Sequence, residues 1–177
     1  KGVELRGKTI GIIGFGRIGR ETAKIALGVG MNVLACDKAI KKTDIKLDFG
    51  NGKTIDFNIK ISSFLDVLKK SDFISLHVPA QKEYIINKKE FNLMKDGVGI
   101  INAARGGVIN ELELLAALDS GKISFAGLDT FENEPKPDIK LLMHPNISLT
   151  PHIGAATNEA QDRIGLELAE QIINILK

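Results

Sequence analysis

Residues 9–19 read TIGIIGFGRIG, a short apolar run that closes on Gly14, Gly16 and Gly19. The run has the length and content of a buried strand, and residues 17–29 carry helical spacing. A second apolar run, NVLAC at 32–36, leads to Asp37, 18 residues beyond Gly19. Strand, glycine turn, helix, strand and terminal acid form one unit with a physical use. Gly14 permits the tight turn, Gly16 lets a pyrophosphate approach the backbone, and Gly19 lets helix and sheet pack closely. The helix N-terminus offers amide donors and positive potential to the phosphates. Asp37 is placed to accept ribose hydroxyls, and its charge repels a 2′-phosphate, which favours NAD over NADP. Lys38, Lys41 and Lys42 beside it read first as a solvated loop, with use of both NAD and NADP as the alternative.

Outward from this unit the same alternation continues. Buried-strand runs recur as FNIKI (57–61), DFISL (72–76), VGIIN (98–102), FAGLD (125–129) and NISLT (146–150). Helical spacing occupies 17–29, 63–70, 88–95 and 110–120, with Asn110 and Glu113 as a start signal and Gly121 as a stop. Strands apolar on both faces and separated by helices predict an α/β fold, a Rossmann-type doubly wound parallel sheet of about seven strands. Residues 39–56 are the least legible, with FGNGK (49–53) reading as the turn of a surface hairpin. A final helix over 158–176 gathers Ala160, Ile164, Leu168 and Ile172 on one face, joined by Ala169, Ile173 and Leu176. That stripe calls for a partner surface.

The bounds agree with one domain of 177 residues. Lys plus Arg total 24 against 22 for Asp plus Glu, and the lysines are scattered, so no nucleic-acid partner is expected. No apolar run reaches the roughly 18 residues of a membrane span, so no membrane partner is expected either. A single cysteine, Cys36, excludes an internal disulfide and suits a reducing, cytoplasmic setting.

In a doubly wound sheet, ligands sit at the carboxyl ends of the strands. Arg105 follows VGIIN, Asp129 ends FAGLD, His152 follows NISLT, and Glu134 lies in the DTFENEP loop. A guanidinium, carboxylates and an imidazole at one end of a sheet are the parts needed to bind a carboxylate substrate and move its hydroxyl proton. A guanidinium after a buried run is costly unless something anionic meets it. His77, at the end of its own strand, and His144 compete with His152, and the pattern alone leaves the choice open.

The ordered segments ELRGKTIGIIGFGRIGRETA, SLHVPA, INAARGGVINELELLAAL, GLDTFENEP and HPNISLTPHIGAAT resemble the D-isomer-specific 2-hydroxyacid dehydrogenases over nearly the whole chain. The resemblance implies that Arg105 binds the substrate carboxylate and carbonyl oxygen, that His152 is the acid/base, and that Glu134 holds His152. It places Asp129 at the nicotinamide carboxamide, Arg17 and Ile18 at the pyrophosphate, His77 and Pro79 beside the cofactor, and Ala103 near the nicotinamide. Its implied cofactor is NAD and its implied partner a small 2-hydroxy or 2-keto acid, in a homodimer. Residues 1–177 are then the dinucleotide-binding domain of a longer chain whose substrate-binding domain is mostly absent here. Within that family TNEAQDRIGLELAEQI is most similar to the D-3-phosphoglycerate dehydrogenases, with glyoxylate or hydroxypyruvate reductases as the alternative. The stretch between Asp37 and Ile61 is longer and richer in lysine than the family pattern. The C-terminal-binding corepressors resemble these enzymes too, and use the dinucleotide to control assembly, but neither a peptide groove nor a nuclear signal is visible.

Overall fold

The computed structural model describes residues 2–176. In chain order the elements are β1 (Thr9–Ile13), α1 (Arg17–Gly28), β2 (Asn32–Cys36), β3 (Lys42–Asp48), β4 (Thr54–Lys60), α2 (Phe64–Lys70) and β5 (Phe73–Leu76). These are followed by α3 (Lys88–Leu93), β6 (Val98–Asn102), α4 (Glu111–Asp119), β7 (Ile123–Leu128), α5 (Ile139–Leu142), β8 (Ile147–Leu149) and α6 (Asn158–Leu176). Six strands form a wholly parallel sheet in the order β2-β1-β5-β6-β7-β8. The chain leaves β1 for β2 on one side and returns to β5 on the other, so the switch point lies between β1 and β5. Crevices for ligands open at such points, beyond the carboxyl ends of the strands.

The sheet has six strands where the sequence predicts about seven. Residues 57–61 belong mostly to β4, which pairs antiparallel with β3 as a separate two-stranded sheet. The excursion still touches the main sheet: Ile61 bridges Ala35 of β2 in parallel, and the Ser62 N–H donates to the Ala35 carbonyl at 2.7 Å. One residue of the expected edge strand therefore survives. The hairpin owes its place to its apolar face, since Ile45 and Ile59 are buried with Ile10, Ile12, Ala23 and Ala35. Its turn is FGNGK, as the sequence predicts, closed by Phe49 N–H to the Lys53 carbonyl at 2.8 Å.

Pleating sends alternate residues to opposite faces. Ile10, Ile12 and Phe73 join the cluster under α1 and the hairpin, whereas Ile13, Ile74 and Leu76 join the larger cluster with α2, α3 and α4. Both faces of the sheet are thus covered, which is why β1 and β5 are almost continuously apolar. The final helix differs: no residue of α6 is buried, and Ile164, Leu168, Ile172 and Ile173 are each about half exposed or more. Among the described residues no helix is long and apolar enough to cross a membrane.

Candidate active site

The glycine turn is tight for identifiable reasons. Gly14 has φ of +91°, and a Cβ there would overlap the His77 carbonyl; a Cβ on Gly19 would overlap the Gly14 carbonyl. Gly14 N–H donates to the Cys36 carbonyl at 2.9 Å and His77 N–H to the Ile13 carbonyl at 2.7 Å, so the turn is wedged between the ends of β2 and β5. A Cβ on Gly16 would meet nothing within 4 Å. The start of α1 has neither a side-chain cap nor an acidic residue in its first turn. Its free N–H groups, the open space at Gly16 and exposed Arg17 and Ile18 fit a pyrophosphate.

Asp37 lies past the end of β2, half-buried. Its Oδ2 accepts from the Phe15 N–H at 2.7 Å, and its Oδ1 from the N–H groups of Ala39 and Ile40 at 2.8 and 3.0 Å. Burial pushes its pKa up, but these donors and the nearby Arg20 charge outweigh burial and hold the carboxyl below the usual range. The charged form expected to disfavour a 2′-phosphate is therefore the stable one.

At the other end of the crevice, the loops after β6, β7 and β8 converge because these strands are neighbours in the sheet. His152 Nδ1 lies 2.8 Å from Glu134 Oε2, while Glu134 Oε1 accepts from the Phe131 N–H at 2.9 Å. The hydrogen bond to His152 is the main reason Glu134 has a lowered pKa, supported by the Phe131 N–H. An ionised Glu134 accepts only, so Nδ1 carries the shared hydrogen, and in the neutral ring the lone pair sits on Nε2. His152 adopts φ of +55°, unusual for a residue with a Cβ.

Asp129 holds that turn. Its Oδ1 accepts from the Thr150 hydroxyl at 2.6 Å and the Ile153 N–H at 2.8 Å, and its Oδ2 from the Gly154 N–H at 2.8 Å. The side chain is buried, which raises its pKa, but the three hydrogen bonds, joined by His152 when its ring is protonated, bring it below the ordinary value. Sequence reading placed Asp129 at the cofactor and missed this anchoring, which needs the 150–154 turn to be seen folded back onto it.

Arg105 is exposed, and its Nη1 donates to the Ala104 carbonyl at 2.6 Å. Among the described residues no carboxylate forms an ion pair with it. The Asn102 side-chain amide fixes its backbone by donating to the Arg105 carbonyl at 3.0 Å. Its loop packs directly against the other two: a Cβ on Gly106 would overlap the Phe131 carbonyl, and a Cβ on Gly154 would lie 4.0 Å from that of Ala103. Ala103 and Pro79 are both exposed at strand ends. An open, largely apolar cavity of about 390 Å³ adjoins Glu134 and His152, walled by Phe131, Pro137, Leu142 and Leu149.

The competing histidines separate on geometry. His77 Nε2 lies 2.9 Å from the Ser75 hydroxyl, and burial lowers its pKa. His144 reaches Asp119 only at 3.4 Å, on the approach to β8. His152 alone has a carboxylate partner at short range beside the Arg105 loop.

A fold with this crevice and these three loops has known relatives. The family model for the NAD-binding domain of D-isomer-specific 2-hydroxyacid dehydrogenases matches residues 1–154. The chain belongs to this family. NAD is accordingly the cofactor this domain takes. The chain is 48% identical to the hydroxypyruvate reductase of Thermotoga maritima over 181 residues, covering 99% of this chain and 55% of that protein. It is 45% identical to the D-3-phosphoglycerate dehydrogenase of Archaeoglobus fulgidus over 179 residues, covering 99% of this chain and 32% of that protein. The solved structure of a D-2-hydroxyisocaproate dehydrogenase superposes with a TM-score of 0.84 at 33% identity, over 100% of this chain and 55% of that one. The chain thus spans between about a third and just over half the length of these three proteins.

Proposed function

We propose that residues 1–177 are the dinucleotide-binding domain of a longer NAD-dependent D-2-hydroxyacid dehydrogenase, whose substrate-binding domain lies mostly outside them. The observation that carries this reading is the short His152–Glu134 contact beside an Arg105 that has no carboxylate partner among the described residues. Gly14, Gly16, Arg17, Ile18 and Gly19 hold the pyrophosphate, Asp37 the adenosine ribose, and His77, Pro79, Ala103 and Asp129 line the path to the nicotinamide. Bound NAD supplies the hydride acceptor. Arg105 fixes the substrate's carboxylate and steadies the oxygen on C2 as charge develops there. His152 Nε2 takes the hydroxyl proton in oxidation and returns it in reduction, while Glu134 keeps the ring oriented. The enzyme works as a cytoplasmic homodimer, without nucleic-acid or membrane partners.

The substrate we propose is D-3-phosphoglycerate, the 2-hydroxy acid that opens the phosphorylated route to serine. Support comes from the α6 segment and from 45% identity to a protein named for that reaction. A second reading, reduction of hydroxypyruvate or glyoxylate, is favoured by the 48% identity to the hydroxypyruvate reductase. Both use the same three residues. The test is turnover by the full-length protein on D-3-phosphoglycerate with NAD, and on hydroxypyruvate and glyoxylate with NADH. Preferred oxidation of the phosphorylated acid supports the first reading and preferred reduction of the others the second. Tight NADH binding without turnover on any of them would replace both with an NAD-sensing scaffold.

A further inference from the structure

A pair of glutamates outside the expected catalytic set ties the Glu134 loop to α4. The Glu111 N–H donates to Glu132 Oε1 at 3.0 Å, and the Glu132 N–H donates to Glu111 Oε1 at 2.8 Å. The remaining oxygen of Glu132 accepts from the Tyr84 hydroxyl at 3.1 Å. This exchange completes the helix start. Asn110 Oδ1 takes the N–H groups of Leu112 and Glu113, its carbonyl takes that of Leu114, and Glu132 takes that of Glu111. The N-terminus of α4 also favours negative charge.

The same exchange completes the loop. Consecutive N–H groups at Phe131 and Glu132 are satisfied by Glu134 and Glu111 respectively. The Phe131 carbonyl is pressed against Gly106, next to Arg105, and the Phe131 side chain is buried in the main core. Residues 131–134 are therefore held at three points: by α4, by the Arg105 loop and by the core. Only then does the carboxylate of Glu134 reach out to His152. Burial, with the surrounding charges of Glu132, Asp138 and Glu134, raises the pKa of Glu111, although the Glu132 N–H opposes the shift. A like-charged pair in that setting persists because each carboxylate satisfies a backbone donor of the other's segment.

We propose that Glu132, with Glu111 as its counterpart, is a positioning residue that sets the approach of Glu134 to His152 relative to Arg105. It touches neither substrate nor cofactor, and the inference rests on the catalytic reading of His152 above. In the full-length enzyme, Glu132→Ala is expected to lower kcat about tenfold while leaving KM for NADH unchanged, since misplacement by a fraction of an ångström reaches the chemistry but not the glycine turn. Glu132→Gln keeps an oxygen for the Glu111 N–H and restores kcat to within about twofold. The double variant Glu111→Ala/Glu132→Ala is at least as slow as Glu132→Ala, because it also removes the acceptor of the residue-132 N–H, which the single variant keeps.

An unchanged kcat in Glu132→Ala, or a Gln variant as slow as the Ala variant, overturns the proposal. If Glu132→Ala does not fold, Tyr84→Phe reads the same coupling at an exposed side chain: a lowered kcat supports it and an unchanged one overturns it. If the unmodified enzyme turns over no 2-hydroxy or 2-keto acid, the catalytic reading fails separately. The positioning claim is then decided by the NMR signal of the His152 Nδ1 proton, which should be lost in Glu132→Ala and kept in Glu132→Gln; a signal unchanged in both overturns it.

Discussion

Replacing Asp129 by asparagine isolates the anchor of the His152 turn. The carboxylate accepts three hydrogen bonds of 2.6 to 2.8 Å, two of them from backbone N–H groups. Asparagine keeps one acceptor oxygen and turns a donor toward a donor at the other, so about one charge-assisted bond is lost outright. Bonds of that kind contribute about 1.5–3 kcal/mol each, which sets the expected loss of stability near neutral pH. The pH dependence follows from the lowered pKa of Asp129. Its contribution is fully present above the unfolded value of about 3.9 and disappears as pH falls through the lower folded value. Asparagine does not titrate, so the gap between the two proteins should close in acid. Urea unfolding of both proteins at neutral pH and near pH 3 measures it. A gap that stays constant with pH, or one below about 0.5 kcal/mol at neutral pH, would refute the reasoning, because surface substitutions without partners fall in that range.

Three further outcomes are expected. Arg105→Lys should raise KM for the 2-hydroxy acid and lower kcat, since a point charge cannot reproduce the planar fork; initial-rate kinetics on the full-length enzyme decide, and unchanged constants remove Arg105 from the site. Asp37→Ala should narrow the preference for NADH over NADPH by about 1–3 kcal/mol in calorimetric titrations, and an unchanged preference would mean that specificity lies elsewhere. Gly106→Ala should destabilise the fold by about 1–3 kcal/mol in urea, because the new methyl overlaps the Phe131 carbonyl; a neutral substitution would show that the two loops are not in contact.

The glycine turn and the core strands were legible because they depend on local signals: φ-permissive residues at fixed spacing and runs apolar on both faces. The hairpin was only half legible. Its turn chemistry in FGNGK reads correctly, but β3 interleaves lysine and aspartate with Ile45 and Leu47, and its apolar face is recognisable only once α1 and β2 are beneath it. Helix α5 has four residues, too short for any period to register. At α4 the sequence signal Asn110–Glu113 half-holds: Asn110 caps the helix, while its own N–H, which Glu113 would accept in a full box, donates to the Ile86 carbonyl at 2.9 Å. A full reciprocal capping box forms instead at Asn87 and Glu90. In the site, Arg105, Glu134 and His152 were reached through strand ends and a family resemblance. The links among them run through backbone amides at 131, 132, 153 and 154, which carry no sequence signature.

The most direct test compares His152→Ala with His77→Ala in the full-length protein, following both NADH binding by fluorescence and turnover of the preferred 2-hydroxy acid. The account predicts that His152→Ala lowers kcat by about a hundredfold or more with NADH affinity nearly intact, as loss of a general acid/base requires, while His77→Ala keeps the greater part of its turnover. Turnover abolished in His77→Ala with cofactor binding kept, and retained in His152→Ala, would contradict it.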